Sequence, residues 1–140
     1  MAPEVDYQVI TAAPVDEIVA LYRAAGWWQE SGQNRDRIPP AICGSFCFMV
    51  AKLPEGRIIG MGRVISDGAS DAYIQDVVVL PQYRRHGIGR ELIRRLTDYC
   101  LQKGLDWIGL VAEPGTADFY RSLGYGVLEG YQPMLHGKRG

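Results

Sequence analysis

The sequence has little of the residues that usually mark metal or disulfide proteins. It holds three cysteines and two histidines in 140 residues. An odd number of thiols in one small chain predicts reduced cysteines rather than a disulfide framework. Cys43 and Cys47 also have no second cysteine or histidine pair that would complete a zinc site. The sequence therefore predicts no metal centre.

Long apolar runs and an excess of one charge are absent as well. No stretch approaches the roughly 18 apolar residues of a membrane span. Residues 1–7 contain acidic side chains and no apolar run typical of a signal peptide. The 15 basic and 16 acidic side chains nearly balance, whereas a dedicated nucleic-acid binder usually has a basic excess. We therefore expect a cytoplasmic protein that binds neither membrane nor nucleic acid.

The residues that are present predict one globular domain over residues 1–140. Apolar residues make up 47% and charged residues 22%, which is ordinary for a globular protein. Hydrophobic periodicity and turn residues predict the element order β-α-β-β-β-α-β-α-β-β, with a short helical turn at Pro39 and Pro40. The predicted strands are Tyr7–Thr11, Phe46–Leu53, Arg57–Ser66, Ala72–Leu80, Trp107–Ala112, Tyr125–Glu129 and Gln132–His136, and the predicted helices begin near Pro14, Gly87 and Thr116. This order indicates a mixed α/β sheet with helices on both faces.

The strongest chemical signal follows the valine-rich strand at Val77–Leu80. Two arginines, Arg84 and Arg85, precede Gly87 and Gly89, and an amphipathic helix starts there. The first N–H groups of a helix lack internal partners and attract anions. The segment therefore predicts a phosphate site, with a plain strand-to-helix turn as the alternative.

A dinucleotide-binding fingerprint is the rival interpretation of this loop. That fingerprint needs a third glycine, where this chain has Leu92, and it opens the first βαβ unit. Here the loop follows the fourth predicted strand, after an antiparallel meander. The sequence disfavours a dinucleotide site.

Two motifs resemble one known family. Residues 84–89, Arg-Arg-His-Gly-Ile-Gly, are similar to the R/Q-x-x-G-x-G/A signature of the GNAT superfamily of N-acetyltransferases. Residues 117–125 resemble its second signature, a helix with a tyrosine followed by Leu-Gly-Tyr. The strong resemblance extends over Ala72–Val127. It implies the acyl-CoA N-acyltransferase fold, a mixed sheet with two splayed parallel strands, and acetyl-CoA as acyl donor.

The resemblance also implies which residues bind coenzyme A. The strand at Val77–Val79 would hold the pantetheine arm in the gap between the splayed strands, and the loop from Arg84 to Arg90 would bind the pyrophosphate. Glu113 lies where the family frequently has a cofactor-contacting Asn, although it could cap the next helix or lie near the amine instead. The implied cofactor-binding residues are Val77, Val78, Val79, Arg84, Arg85, His86, Gly87, Ile88, Gly89, Arg90, Glu113 and Tyr120.

The resemblance places the general acid at Tyr120, where a phenol could protonate the departing thiolate. A packing role in the core is the alternative for this residue. Strand alternation predicts that Tyr73, Gln75 and Val77 share one face. Gln75 then lies where the family often has a carboxylate, and Gln is no base. Asp76 could serve only if a β-bulge turned its side chain, and water is the other candidate.

The sequence defines the site of the amine acceptor less closely than the coenzyme A site. Trp28, Tyr73 and Gln75 are the predicted substrate-binding residues, and an aromatic wall at Trp27 and Trp28 would favour a cationic or aromatic acceptor. The predicted function is direct transfer of an acetyl group to a primary amine of a small molecule. A protein lysine or N-terminal acetyltransferase and a non-catalytic acyl-CoA sensor are the alternatives, and homodimerisation is left open.

Overall fold

The computed structural model describes residues 2–30 and 34–137. Its strands are β1 (Asp6–Val9), β2 (Cys47–Lys52), β3 (Ile58–Ser66), β4 (Asp71–Val79) and β5 (Trp107–Gly109). Its α-helices are α1 (Val15–Ala24), α2 (Ile38–Gly44), α3 (Ile88–Gln102) and α4 (Ala117–Arg121), and 3₁₀ turns lie at Arg35–Arg37 and Pro81–Tyr83. The chain divides into two compact units, residues 1–110 and residues 111–140. The first contains the sheet and α1 to α3, and the second contains α4.

One five-stranded mixed sheet forms the first unit, in the order β1-β2-β3-β4-β5. The strands from β1 to β4 are antiparallel neighbours, and β5 runs parallel to β4. The predicted hairpin between β2 and β3 is confirmed, with the Leu53 N–H bonded to the Arg57 carbonyl at 2.9 Å. The short helix predicted at Pro39 and Pro40 is confirmed as α2. The predicted fold class is therefore correct.

The helices cover both faces of this sheet. On one face α3 packs its buried side chains, among them Ile88, Leu92 and Leu96, against β2, β3 and β4. Glycines in β3 allow this approach, because a Cβ at Gly60 would lie 3.3 Å from Leu92 Cδ1 and one at Gly62 would lie 2.7 Å from Leu96 Cδ1. The α1 helix packs against β3 and β4 from the other face, with Ile18, Val19 and Leu21 fully buried.

Gly62→Ala is expected to destabilise the fold. The added methyl would lie 2.7 Å from Leu96 Cδ1 and 3.1 Å from Val77 Cγ2, and overpacking of this kind costs about 1–3 kcal/mol. Chemical denaturation measures the free energy of unfolding. Gly44→Ala is the matched control, because no atom lies within 4 Å of the added Cβ there. Equal unfolding free energies for the two variants would refute this packing argument.

The outer face of α3 has a local ion network that should make stability depend on pH. Glu91 accepts hydrogen bonds from Arg94 Nε at 2.9 Å and Arg95 Nε at 2.7 Å, and these bonds lower the pKa of Glu91 to about 2. A carboxyl with a depressed pKa stabilises the fold above its ordinary pKa, and this contribution is lost as the pH falls toward 2.

Glu91→Gln should therefore lower the free energy of unfolding at pH 7 by about 0.5–1 kcal/mol, the range for a solvent-screened pair. The difference from the parent should shrink between about pH 4.5 and pH 2 as the carboxyl becomes protonated. Glu55→Gln, in the exposed β2–β3 turn, is the control. A difference that stays constant over this pH range would argue against the network.

The last two predicted strands are wrong. Residues 125–129 and 132–136 adopt no strand in the structure, and the fifth strand ends at Gly109 rather than Ala112. Gly130 has a φ of +81°, and Pro133 has no N–H to donate to a ladder. Met134 is 92% exposed. The alternating pattern there does not correspond to a buried face.

Candidate functional site

The parallel strands β4 and β5 separate part of the way along. Their pairing runs from Asp71 with Trp107 to Tyr73 with Gly109 and stops there. β4 continues to Val79, so its second half receives no β5 partner among the described residues. Backbone groups on that edge need other hydrogen-bond partners if they are shielded from water. The predicted splay at Val77–Val79 is confirmed, and we call this edge of β4 the opening, because it has no strand partner beyond β3 among the described residues.

The loop after β4 is fixed to the end of that strand. The Leu80 N–H donates to the Ile59 carbonyl at 2.9 Å, and Arg84 Nε donates to the Val79 carbonyl at 3.0 Å. The Arg84 side chain therefore braces the loop, as the resemblance implied. Arg85 has a φ of +66°, which is uncommon for a residue with a side chain and indicates a tightly specified loop.

The start of α3 can receive an anion. Gly87 is the N-cap residue in a left-handed conformation, with a φ of +78°, and no side chain caps this helix end in the described structure. The first intrahelical bond joins the Glu91 N–H to the Gly87 carbonyl at 3.0 Å. A Cβ at Gly87 would meet no atom within 4 Å, and one at Gly89 would meet only Val79 Cγ2 at 3.8 Å. The glycines thus leave an open approach to a helix N-terminus, which fits a phosphate group.

The side chains around this approach have the expected charge. Arg85, His86 and Arg90 are exposed, while Ile88 is buried and anchors the first turn of α3. The Glu91 carboxylate in the next turn of α3 is engaged by Arg94 and Arg95. The residues predicted to bind pyrophosphate are brought together. Their contacts with a cofactor stay a prediction.

A β-bulge interrupts β4 at Asp76. Met61 pairs with Val78 and Arg63 pairs with Gln75, so the single residue Gly62 opposes two residues of β4. Asp76 has a φ of +58°, a left-handed conformation that Asp adopts more readily than most residues. Such an extra residue changes which side chains face each side of the sheet.

The bulge overturns the predicted alternation in the second half of β4. Val77 Cγ2 lies 3.1 Å from the Cβ position of Gly62, on the α3 face. Asp76 instead binds Tyr22 of α1 and Arg63, on the opposite face. Val77 therefore does not share a face with Tyr73 and Gln75, as strand alternation predicted, and Asp76 does. The face on which a β4 side chain lies depends on how many residues of β4 oppose each residue of β3. The sequence of β4 alone does not give that number.

Three polar side chains meet on the α1 face, and we name them the Asp76 cluster: Tyr22, Arg63 and Asp76. The Tyr22 hydroxyl donates to Asp76 Oδ2 at 2.7 Å and Arg63 Nε donates to the same oxygen at 2.8 Å. The side chains of Arg63 and Asp76 are only 18% and 14% exposed. Burial and the Asp76 carboxylate raise the pKa of Tyr22, which keeps the phenol protonated.

Sequence reasoning missed two members of this cluster. It gave neither Tyr22 nor Arg63 a role. The available signal was an arginine inside an otherwise apolar strand, IIGMGRVIS, because a charged side chain in such a strand requires a partner.

Aromatic rings adjoin the Asp76 cluster. The Tyr22 ring lies 6.3 Å from the Trp27 ring and 6.4 Å from the Trp28 ring. Trp27 is 41% exposed. Trp28 is half-buried, and its indole Nε1 is buried without a hydrogen-bond acceptor of ordinary geometry among the described residues. Of the predicted substrate-binding residues, Trp28 is thus joined through Tyr22 to the cluster, and Gln75 lies next to Asp76 in β4.

In the second unit, Tyr120 lies in α4 beside aromatic rings. Its ring centroid is 5.1 Å from that of Phe119 and 6.1 Å from that of Tyr125. Burial, the Glu113 carboxylate and Tyr125 raise the pKa of Tyr120. The Thr116 hydroxyl donates to the backbone carbonyl of Glu113 at 2.6 Å. The roles of Tyr120 and Glu113 toward the cofactor stay predictions.

Among residues 2–30 and 34–137, no group of three or more histidine, cysteine or acidic side chains could hold a metal ion. Over the same residues, no helix has the length and apolar composition needed to cross a bilayer.

The parallel strands β4 and β5 splay apart, and a glycine-rich loop joins β4 to α3. No side chain caps the start of α3 among the described residues. Residues 14–125 match the model of the acetyltransferase (GNAT) family. The chain belongs to this family.

Individual relatives agree with this assignment. The chain is 40% identical over 74 residues to GCN5-related N-acetyltransferase 2, chloroplastic, of Arabidopsis thaliana; the match covers 53% of this chain and 29% of that protein. A probable acetyltransferase of unknown function from meticillin-resistant Staphylococcus aureus is similar in structure with a TM-score of 0.81 at 21% identity, covering 97% of this chain and 100% of that chain. AAC(6')-Iy, solved with the bisubstrate analog CoA-S-monomethyl-acetylneamine, gives a TM-score of 0.73 at 16% identity, covering 98% of this chain and 99% of that chain. The two structures establish likeness of fold.

Proposed function

We propose that this protein is an acetyl-CoA-dependent N-acetyltransferase that acetylates a primary amine of a small molecule. The observation that carries the proposal is the opening beside β4, which leads directly to the start of α3. Val79 ends β4, and its carbonyl accepts a hydrogen bond from Arg84, which begins the loop to Gly87. A ligand with an extended arm and a diphosphate would match both features at once.

In this proposal the chain's own backbone holds coenzyme A. The edge of Val77–Val79 that β5 leaves unpaired binds the pantetheine arm. The arm takes the place that a β5 residue would have in a continuous ladder. The N–H groups of the loop from Arg84 to Arg90 bind the pyrophosphate, and the side chains of Arg85 and His86 lie exposed beside them. When bound, the cosubstrate supplies an activated thioester. The coenzyme A derivative bound to AAC(6')-Iy supports this choice of donor.

The proposed chemistry is direct transfer. The acceptor nitrogen attacks the thioester carbonyl, the C–N bond forms and the C–S bond breaks. A backbone N–H near Val78, that of Val79 on the edge away from β3, stabilises the charge that develops on the carbonyl oxygen. Tyr120 donates its phenolic proton to the departing sulfur, and its raised pKa keeps that proton in place at neutral pH.

The acceptor must lose a proton before or during its attack. Gln75 has no basic group. Asp76 does face the α1 side, but its Oδ2 already accepts bonds from Tyr22 and Arg63. We therefore assign this proton to water. Trp28, Tyr73 and Gln75 are proposed to contact the acceptor, and the half-buried Trp28 suits an organic cation. A protein lysine or N-terminal amine is the second candidate acceptor.

Release of coenzyme A over a panel of small amines tests this function. A thiol reagent detects the product, so the exposed Cys43 should first be replaced by Ser, because it would react itself. The other two cysteines, Cys47 and Cys100, are buried, and burial raises the pKa of Cys47 to about 12. We expect amine-dependent thiol release. Tight binding of acetyl-CoA without release for any amine or peptide would instead identify the non-catalytic sensor.

A further inference from the structure

We propose that Asp76 is a positioning residue. Held by Tyr22 and Arg63, it maintains the bulge of β4 and so sets the direction of the backbone groups from Val77 to Val79, which border the opening. The inference rests on the proposed function, because it assigns those backbone groups to the thioester. It gives Asp76 a role different from that of the base that takes a proton from the acceptor.

The bulge needs external support. Asp76 has a φ of +58°, and a residue with a side chain keeps such a conformation only where its surroundings enforce it. No glycine occupies this position to relieve the strain. Some interaction outside the strand must therefore hold the extra residue in place.

The Asp76 cluster supplies this interaction from two other elements. Tyr22 belongs to α1 and Arg63 to β3, and both donate to Asp76 Oδ2 at 2.7 and 2.8 Å. Hydrogen bonds to an ionised group are the stronger kind, and the low exposure of Arg63 and Asp76 limits competition from water. The carboxylate is thus tied to both neighbours of the bulge.

The α3 face of the sheet has space for the bulge. Gly62, the single residue that opposes the bulge, has no side chain, and Val77 Cγ2 lies 3.1 Å from its Cβ position. A flat strand would instead send Val77 to the α1 face and Val78 to the α3 face. The Asp76 cluster on one face and Gly62 on the other therefore select the bulged register together.

The register between β3 and β4 determines which backbone groups of β4 face the opening. Met61 pairs with Val78 only because of the extra residue. In a flat strand each backbone N–H beyond Gln75 would point to the opposite edge. The Val79 N–H points away from β3 in the bulged strand, because the Leu80 N–H after it donates to Ile59 of β3. In a flat strand it would turn toward β3 and could no longer reach the carbonyl oxygen of the thioester. Loss of the Asp76 cluster should consequently impair transfer without removing any group that exchanges protons with the acceptor.

Two substitutions at Asp76 test the proposal. Asp76→Asn keeps the size, a side-chain acceptor and tolerance of positive φ, whereas Asp76→Ala removes the tether. We expect kcat/KM within about threefold of the parent for the Asn variant and a loss of about tenfold to hundredfold for the Ala variant, the range for a misplaced catalytic group. The pH profile of kcat/KM should keep its shape in the Asn variant. Asp71→Asn, at the exposed start of β4, is the matched control.

The alternatives give different results. If Asp76 were the base, the Asn and Ala variants would be equally impaired and the acidic limb of the pH profile would be lost. If the Ala variant fails to fold, Tyr22→Phe replaces it; this variant removes one of the two bonds and should reduce kcat/KM by about twofold to fivefold. Unchanged activity in the folded Ala or Phe variant would overturn the proposal.

A readout without turnover separates this inference from the proposed function. Amide hydrogen exchange of Val77 and Val78 reports the register directly, and we expect about tenfold or faster exchange in Asp76→Ala. If the parent shows no acetyl transfer but the Ala variant shows this change, the proposed function fails and the positioning role stands. Unaltered exchange in a folded Ala variant rejects the positioning role whatever the activity.

Discussion

Tyr120→Phe is expected to lower kcat by about 10²–10⁴-fold, the usual value of general acid catalysis. Affinity for coenzyme A should change by less than about threefold, because only one hydroxyl is lost. Phe retains the ring contacts of Tyr120 with Phe119 and Tyr125, so the fold should survive. Burial raises the pKa of Tyr120, which keeps the parent phenol able to donate. The loss corresponds to roughly 3–5 kcal/mol of barrier.

Steady-state kinetics with an acceptor from the amine panel checks this prediction, together with calorimetry of coenzyme A binding. The effect should diminish at lower pH, where solvent protonates the thiolate more readily. Tyr131→Phe is the control, since Tyr131 is 75% exposed in the same unit. A turnover number within about threefold of the parent would reject the general-acid role. Weakened binding with little loss of turnover would assign the hydroxyl to the cofactor instead.

Gly89→Leu should weaken the binding of coenzyme A by about tenfold or more, or roughly 1.4 kcal/mol. A Cβ at Gly89 meets only Val79 Cγ2, at an ordinary 3.8 Å. The substitution is therefore compatible with the helix, and the rest of the leucine side chain would extend over its N-terminus. It would occupy the approach that a phosphate needs to reach the N–H groups there.

Titration calorimetry measures this loss, and the unfolding transition shows that the variant is folded. Gly44→Leu is the matched control, because Gly44 ends α2 and no atom lies within 4 Å of its Cβ position. Gly89→Ala should retain most of the affinity, since its methyl group is small. Parental affinity in the leucine variant would show that the diphosphate binds elsewhere.

The sequence predicts those parts of the site that depend on neighbouring residues. Gly87 and Gly89 open a helix of clear amphipathic period, and their conformation follows from local backbone preferences. The hairpin of β2 and β3 is similarly local. For this reason the loop, α3 and the order of the first five strands are as predicted.

The Asp76 cluster depends on distant residues and could not be predicted in the same way. Tyr22 and Asp76 are 54 residues apart in sequence, and Arg63 is 13 residues from Asp76. The bulge that brings them together depends on the space at Gly62 and on Leu96 of α3. Period-two patterns assume equal residue counts on both strands, so they assign Val77 to the wrong face.

The extra residue in β4 makes this strand intolerant of changes in length. Deleting one residue at Asp76 or Val77 would leave a single residue opposite Gly62 and remove the bulge. It would also remove either the carboxylate that binds Tyr22 and Arg63 or the valine that packs beside Gly62. One inserted residue would place three residues opposite Gly62 or shift the register of Val78 and Val79, both buried. The exposed turn at Glu55 and Gly56 could accept added residues without moving any side chain of the sheet. Gaps between related sequences should therefore collect in the β2–β3 turn and avoid the segment from Gln75 to Val79.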